Sequence, residues 1–208
     1  MRRMIFRYLP ALMFAGAAMA PLGSHAADVS PIVKGGFDFG GDTVVSVDLS
    51  GSGGSSSKSV KAHQGGFVGL GASILMDSRV LEAEVSLSYK FSSIIAQNAD
   101  IDWTVFPLDA LVFYRLPNFR LGGGLTYHLD PTLKGRKAAS SLNARYDDAL
   151  GYVLQADYVL DKRFNFGVRY TSVDYKLHSQ TTPSISATPL APSTRASGFG
   201  IVFSMVGF

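Results

Sequence analysis

Stretches in which every second residue is apolar dominate this sequence, and this period of two constrains its fold more than any other feature. In the clearest stretch, 81–91, Leu, Ala, Val, Leu, Tyr and Phe alternate with Glu, Ser and Lys. A β-strand projects successive side chains to opposite faces, whereas a helix repeats every ~3.6 residues. The pattern therefore predicts strands with one apolar and one ionic face, and it predicts no amphipathic helix.

Eight such strands are predicted along the chain, and their connections alternate between short and long. The predicted strands cover 31–40 (extending to 49 in a second interpretation), 64–76, 79–91, 101–115, 119–129, 147–160, 163–176 and 196–208. The short connections are MDSR at 76–79, LPNFR at 116–120 and LDKR at 160–163. The long ones are polar and cover 50–63, 92–100, 130–146 and 177–195. Strands that run up and down place all short turns at one end and all long loops at the other.

The alternation alone does not say which face is inside. A water-soluble sandwich or a lipocalin-like barrel alternates as well, with its apolar face inward. Three features favour a membrane barrel instead: strands of ten residues or more, aromatic residues near strand ends, and long loops gathered at one end. The sequence has no run of about 18 apolar residues after its first thirty, which excludes helical membrane spans there. We therefore predict an all-β, eight-stranded antiparallel up-and-down transmembrane β-barrel.

The first 26 residues have the features of a secretory signal peptide. Three arginines precede an apolar stretch from Tyr8 to Ala20, and small-residue cleavage sites follow at Ala20 and Ala26. Cleavage after Ala26 would leave 27–208 as the barrel domain. The signal holds three of the 19 basic residues and none of the 16 acidic ones, so the mature chain would be formally neutral. The charge therefore gives no support to nucleic-acid binding, and the lack of Cys excludes a disulfide framework.

If the apolar faces meet lipid, the barrel interior receives a mixed set of charged side chains. The candidates for ion pairs in the lumen are Lys34, Asp38, Glu82, Glu84, Lys90, Asp109, Asp157 and Arg169. An eight-stranded barrel has an interior that side chains nearly fill, so opposite charges should pair and close the lumen. A second hypothesis is an ion gate, in which Glu82 and Glu84 exchange partners with a movable Lys90 or Arg169.

Pro107 interrupts the predicted strand 101–115. Because proline lacks a backbone N–H, it removes one hydrogen bond from the sheet and indicates a bulge or a local defect in the wall. A lateral exit for an apolar ligand at this point is the less favoured interpretation.

The chain ends on an aromatic residue inside an apolar strand, GFGIVFSMVGF at 198–208. This ending resembles the assembly signal of bacterial outer-membrane barrels, with Phe208, Val206 and Val202 as its residues. Ser204 departs from the all-apolar pattern, and the opposite parity, which includes Phe199 and Phe203, is at least as apolar. The sequence leaves the facing of this strand open.

With these features, and with the segments GGFDFGGD at 35–42 and RLGGGLTYHLDP at 120–131, the chain resembles small eight-stranded barrels of the OmpA-like β-barrel superfamily. The resemblance implies a location in the outer membrane of a Gram-negative bacterium. It also implies insertion by the barrel-assembly machinery and contact with outer-membrane lipids and lipopolysaccharide. We expect a barrel alone, without a periplasmic domain.

The sequence predicts no catalytic residue, metal site or cofactor. Some barrels of this size modify lipid A, but His63, His128 and His178 lack the His-x-Ser pattern of the deacylase type. All three fall near the predicted loop end, where we expect solvated side chains. Loop 50–63 is predicted to be a flexible low-complexity segment. Cations of the third long loop could meet lipopolysaccharide phosphates, namely Lys134, Arg136, Lys137 and Arg145.

These observations favour a non-enzymatic barrel with a structural or surface-interaction role. A narrow channel for small solutes or apolar molecules is the alternative, and a lipid A-modifying enzyme is the least favoured.

Deletion of Phe208 should slow assembly of the barrel, because it removes the aromatic end of the predicted signal. The measurement is the rate at which the heat-modifiable folded band appears during insertion by the assembly machinery. A Lys58→Ala variant, altered in a long loop, is the control. Assembly at the wild-type rate without Phe208 would show that the terminal aromatic residue is not used.

Overall fold

The computed structural model describes residues 28–51, 54–76, 78–95, 99–137, 139–181 and 190–207. The predicted signal peptide and Phe208 lie outside these residues. The strands are β1 (Asp28–Gly40), β2 (Thr43–Gly51), β3 (Gly54–Lys61), β4 (Gly65–Leu75), β5 (Leu81–Ile95), β6 (Ala99–Arg115), β7 (Phe119–Lys137), β8 (Asn143–Tyr146), β9 (Ala149–Val159), β10 (Phe164–Gln180), β11 (Ser193–Arg195) and β12 (Gly198–Val206). Within the described ranges, no helix has the length and apolar character needed to cross a membrane.

Eight strands pair side by side into a closed antiparallel ring. Its order is β1, β4, β5, β6, β7, β9, β10 and β12, and β12 pairs again with β1. At this closure Ile32 lies opposite Val206 and Gly40 lies opposite Gly198. A closed ring has no open edge, so backbone hydrogen bonds are completed between neighbouring strands. The predicted eight-stranded antiparallel up-and-down barrel is confirmed.

The ring strands agree with the eight predicted ones, but several continue farther toward the long loops. The strand predicted over 119–129 is observed as Phe119–Lys137, and the one over 163–176 as Phe164–Gln180. The predicted strands end where the apolar alternation of the outward face ends. Backbone pairing continues beyond the point at which that face becomes polar, so the strands were predicted too short.

The three short connections are tight turns at one end of the barrel, as predicted. Leu116 donates its N–H to Phe119 O at 2.7 Å, and Met76 donates to Leu81 O at 2.9 Å. In the third turn, Asp161 Oδ1 accepts the backbone N–H groups of Arg163 and Phe164. These two hydrogen bonds hold the pKa of Asp161 below its usual value, so they support this turn while the carboxyl is ionised and weaken as acid protonates it.

The apolar faces point outward and the charged faces point inward. Val85 is 49% exposed and Val168 is 55% exposed, whereas the neighbouring Glu84 and Arg169 are 1% and 5% exposed. Such an arrangement is unfavourable in water, because it exposes a continuous apolar belt and buries charges. It suits a barrel surrounded by lipid, and the predicted facing of the strands is confirmed.

Aromatic rings on the outer surface gather at the two borders of this apolar belt. Toward the long loops, Tyr89 packs against Phe106 at 5.3 Å between ring centroids, and Tyr170 against Phe199 at 5.1 Å. Toward the short turns, Phe119 packs against Tyr158 at 5.2 Å. Aromatic rings at both borders correspond to the aromatic girdles of a membrane barrel.

Above the girdle on the long-loop side, the polarity of both faces reverses. On β6 the outward residues change from Phe106 to the polar Thr104 and Asp102, while the inward positions become Trp103 and Ile101. The same change occurs along β10. This part of the wall has a polar exterior and an apolar interior, which is the arrangement expected in water.

We call this upper part the head. It contains the β2–β3 hairpin, β8, which pairs with β7 and β10, and β11, which pairs with β10. The core of the head comes from residues of several strands and connections: Val44, Val45, Val60, Ala62, Ile101, Trp103, Val105, Leu133, Ala139, Leu142, Ala144, Tyr146, Ala149, Val173, Tyr175, Leu190 and Ala196.

The prediction that loop 50–63 is a flexible low-complexity segment is wrong for its described part. The backbone of Gly54–Lys61 pairs with Thr43–Gly51 as a hairpin. Backbone pairing does not require apolar side chains, so a Ser-rich strand lacks the apolar alternation from which strands were predicted. The base of the hairpin is held by Val45, Val60 and Ala62 in the head core.

The wall is irregular beside Pro107, as predicted. The ladder between β6 and β7 changes register between Thr104 and Phe106. On the other side of β6, pairing with β5 passes from Leu108 directly to Val105. Proline cannot donate to this ladder, and the interruption lies at the height of the outer Tyr89–Phe106 pair.

Arginine in place of Val85 or Val168 should destabilise the inserted barrel by about 2 to 4 kcal/mol, because it places a charge in the middle of the lipid-facing belt. Thr104→Arg, on the polar outer surface above the girdle, is the control and should cost no more than about 1 kcal/mol. Urea titration of the protein in lipid vesicles measures both. Equal stability of all three variants would mean that the belt does not face lipid.

Candidate functional site: the charged lumen

The eight charged residues predicted for the lumen all lie inside the barrel and are buried. These eight come from five ring strands, β1, β5, β6, β9 and β10, and a sixth strand, β7, adds Arg120. Across the lumen they form three layers between the short-turn end and the head. The lower layer contains Glu82, Asp157 and Arg120, the middle layer Lys34, Glu84, Asp109 and Arg169, and the upper layer Asp38 and Lys90.

Arg120 is the centre of the lower layer. It donates to Glu82 Oε1 at 2.7 Å and to Asp157 Oδ2 at 2.6 Å, and it lies 3.3 Å from Glu84 Oε2. Its guanidinium carbon is 4.2 Å from the centroid of the Phe113 ring. A planar guanidinium has five donors in a fixed geometry, so one arginine can serve several carboxylates at once.

Sequence reasoning missed Arg120 because it assigned this residue to the turn 116–120. The signal was present in the alternation of the following strand. The polar face of β7 runs through Gly122, Gly124, Thr126 and His128, and counting back by two from Gly122 reaches Arg120.

Arg115 closes the lower layer toward the short turns. Its Nη1 lies 2.5 Å from Glu82 Oε2, and 29% of its side chain is exposed. Ser73 also donates to Glu82, at 2.7 Å. Glu82 is therefore held by two arginines and one hydroxyl at the short-turn end of the lumen.

Asp109 is the centre of the middle layer. It accepts from Lys34 at 3.0 Å, from Arg169 at 3.2 Å and from the Thr126 hydroxyl at 2.6 Å. Lys34 continues the network to Glu84 at 3.2 Å. Since Glu84 also faces Arg120, the lower and middle layers form one connected system.

The upper layer contains Asp38 and Lys90, which pair at 2.7 Å, together with two histidines. His63 lies 3.3 Å from Lys90 Nζ, and His128 forms a short hydrogen bond with the Tyr175 hydroxyl of the head. The expectation that these two histidines are solvated is wrong.

His63 and His128 are buried for different local reasons. His63 follows the hairpin and points back into the lumen, whereas His128 belongs to the polar face of β7. His178 is exposed, as expected, and lies 2.7 Å from Asp147.

Two glycines in the barrel wall make room for charged side chains of the interior. A Cβ at Gly167 would lie 1.8 Å from Asp157 Oδ1, and a Cβ at Gly200 would lie 1.9 Å from Asp38 Oδ1. Neither distance is sterically allowed. These strand positions are therefore glycine because a carboxylate from another strand occupies the space of the side chain.

Among the described residues, the charged side chains that face the lumen are balanced in number. The basic side chains are Lys34, Lys90, Arg115, Arg120 and Arg169, and the acidic ones are Asp38, Glu82, Glu84, Asp109 and Asp157. Every one of them has an oppositely charged partner within 4 Å. Chemically, such a set can neutralise and fill the interior, and it offers no excess charge to attract ions of one sign.

The cations predicted to meet lipopolysaccharide lie on the outer surface of the head. Arg136 pairs with Asp102 at 3.0 Å. Lys137 pairs with Asp100 at 3.0 Å, and Arg145 pairs with Asp130 at 2.7 Å. Lys134 is exposed on the same face. Their contact with lipid phosphates remains a prediction.

The residues predicted to form the assembly signal have different surroundings. Val202 is buried toward the lumen, and Val206 is half-buried. The outward face of β12 carries Phe199, which is 67% exposed, and Phe203. The facing that the sequence left open is thus decided, while the role of these residues in assembly stays a prediction.

Within the described part of the chain, no group of three or more His, Asp or Glu side chains is arranged to hold a metal ion. His63, His128 and His178 have different partners, since the first contacts Lys90, the second Tyr175 and the third Asp147.

The closed ring, the lipid-facing belt and the charged interior define an outer-membrane β-barrel, and comparison with known sequences gives the same class. The profile of the family described as "Outer membrane protein beta-barrel domain" matches residues 9–204. The chain belongs to this family, and its place in the bacterial outer membrane follows from it. A search of curated protein sequences gave no match.

Solved structures of Ail share this fold. Ail, the attachment invasion locus protein of Yersinia pestis, is similar with a TM-score of 0.54 and 11% identity, over 88% of this chain and 99% of Ail. A second structure of Ail, in complex with the heparin analogue sucrose octasulfate, has a TM-score of 0.51 and 11% identity over 86% of this chain and 98% of Ail. Neisserial surface protein A has a TM-score of 0.47 and 9% identity, over 87% of this chain and 99% of that one.

Replacement of Arg120 by Met should destabilise the barrel by about 3 to 5 kcal/mol, because it leaves buried carboxylates without their shared cation. Adding Asp157→Asn should recover part of this loss. Arg195→Met breaks an exposed pair with Asp174 and should change stability by no more than about 1 kcal/mol. Urea unfolding in vesicles compares the variants. A stable Arg120→Met protein would show that the lower layer does not depend on this arginine.

Proposed function

We propose that this protein is a non-enzymatic outer-membrane barrel with a closed lumen, and that it acts through the surface of its head. In this proposal the barrel holds the head above the membrane, and the head provides the structural or surface-interaction role. The observation that carries the proposal is the order of the interior: paired charges fill the membrane-spanning part, and an apolar core fills the part above it.

Two barriers in series support the closed lumen. The first is the charged network, in which Arg120 and Asp109 each join several partners. The second is the head core, where Trp103 and Tyr175 pack at 5.7 Å between ring centroids. An ion crossing the barrel would have to displace both, because water and ions have no favourable contacts in a packed apolar core.

The polar exterior of the head supports a surface role. Its outer face carries both signs of charge, including the cations around Arg136 and Arg145. Lipopolysaccharide phosphates are the proposed partners of these cations, since arginine binds phosphate oxygens through paired hydrogen bonds. Ail was crystallised with a sulfated sugar analogue, and an anionic glycan is the corresponding kind of partner proposed for this head.

Export and assembly are part of the same proposal. The first 26 residues would direct secretion and be removed, and the barrel-assembly machinery would insert the mature chain through its C-terminal strand. Outer-membrane lipids would then surround the apolar belt.

The alternative is a narrow channel gated in the lumen. The continuous line of charged layers favours it, because a polar path crosses the membrane-spanning part. In this structure the predicted gate residues are held by ion pairs, and Arg169 pairs with Asp109 at 3.2 Å. Glu82 lies beside Arg120 and Arg115, and Glu84 lies beside Lys34 and Arg120, whereas Lys90 pairs with Asp38. No particular observation favours lipid A modification.

Planar-bilayer recording of the refolded, heat-modifiable protein separates the two functions. We expect no single-channel steps, because both barriers are intact. The comparison variant is Glu84→Gln, which weakens the network without removing bulk and should also be silent. Discrete steps in the wild type that change in Glu84→Gln would contradict the closed lumen and establish the gated channel instead.

A further inference from the structure

A small cavity lies at the top of the charged lumen, directly below the head. Its volume is about 10 Å³, which leaves room for about one water molecule. Eight of its ten lining residues carry polar or charged side chains, and the other two are Phe67 and Pro107. The lining residues on which the argument rests are Asp38, His63, Ser88, Lys90, Arg169 and Thr171.

The hydrogen bond from Lys90 determines which nitrogen of His63 carries the proton. A protonated lysine can only donate, so His63 Nδ1, at 3.3 Å from Lys90 Nζ, must accept. Neutral His63 then carries its proton on Nε2. This nitrogen lies 3.8 Å from Asp38 Oδ1, which is too far for a hydrogen bond. Neither atom has a hydrogen-bond partner in the described part of the chain.

Three further polar atoms of the cavity lining are buried without a hydrogen-bond partner among the described residues. They are Ser88 Oγ, Arg169 Nε and Thr171 Oγ1, all inaccessible to solvent. Buried polar atoms in proteins are seldom left unpaired. Five of them around one small polar cavity therefore indicate a shared ligand.

The chemistry of these atoms selects the ligand. His63 Nε2 and Arg169 Nε can only donate, Asp38 Oδ1 can only accept, and the two hydroxyls can do either. A cation would face two N–H groups and the Lys90 ammonium, whereas an anion would face the Asp38 and Asp109 carboxylates. A water molecule accepts two hydrogen bonds and donates two, which matches the set.

We infer that this cavity is a binding site for one ordered water molecule, which accepts from His63 and Arg169 and donates to Asp38 and to Thr171 or Ser88. Through Arg169, which also donates to Asp109 at 3.2 Å, the water connects the upper layer to the middle layer. The inference stands on the cavity and its unpaired atoms, and it does not require the lumen to be closed to ions.

The test is NMR spectroscopy of the ¹⁵N-labelled full chain, refolded in lipid nanodiscs. We expect the ring of His63 to be protonated on Nε2 and this proton to show a nuclear Overhauser effect to a long-lived water molecule. His178, whose ring is exposed, is the internal control and should show only rapid exchange with bulk water. Protonation of His63 on Nδ1, or a protected Nε2 proton without contact to water, would overturn the assignment.

Matched variants locate the water. Thr171→Val and Ser88→Ala each remove one of the two hydroxyls that can accept from the water, and at least one of them should weaken the Overhauser effect at His63 several-fold. Thr126→Val removes a hydroxyl that donates to Asp109 outside the cavity lining, and it should leave the effect unchanged. A wild-type effect in both Thr171→Val and Ser88→Ala would place the water elsewhere. If a variant fails to fold, the wild-type measurement still decides.

Discussion

The closure of the backbone ladder between β1 and β12 is the constraint on which the rest of this structure depends. Lipid offers no hydrogen-bonding partner, so a sheet can cross the membrane only when its first and last strands meet. Eight strands close at a small diameter, and the interior then has space for side chains but not for a wide pore. Charged residues placed inside must therefore contact one another, and glycine occupies two wall positions, Gly167 and Gly200, that a carboxylate approaches closely.

Several ring strands extend from the lipid-facing belt into the head, so they lie in two different solvents. Within the belt the exterior is apolar and the interior is charged, and above the girdle the two are exchanged. On β6 the change takes place between Phe106 and Thr104, close to the interruption at Pro107. A strand of constant geometry can span both environments because only its side chains respond to the solvent, while its backbone pairing continues unchanged.

The lumen and the head are connected, and not simply stacked. His128 extends from the charged interior to Tyr175 in the apolar core, and His63 enters the lumen from the end of the hairpin. These contacts couple the position of the head wall to the upper charged layer. A head held in this way presents its outer surface in a defined orientation, which is what a surface-interaction role requires.

The sequence by itself determined the number of ring strands, the end at which the turns lie, and the face that carries Glu84 and Arg169, because a period of two leaves only the choice of which face is inside. Tertiary structure alone decided the partners within the lumen and the role of Arg120, since residues brought together across a ring are far apart in the chain. It also decided the head, where Ser-rich segments form strands through backbone pairing that no side-chain pattern reveals, and the burial of His63. Most of these features are contacts between segments that are far apart in the chain, and such contacts form only when the sheet closes into a ring.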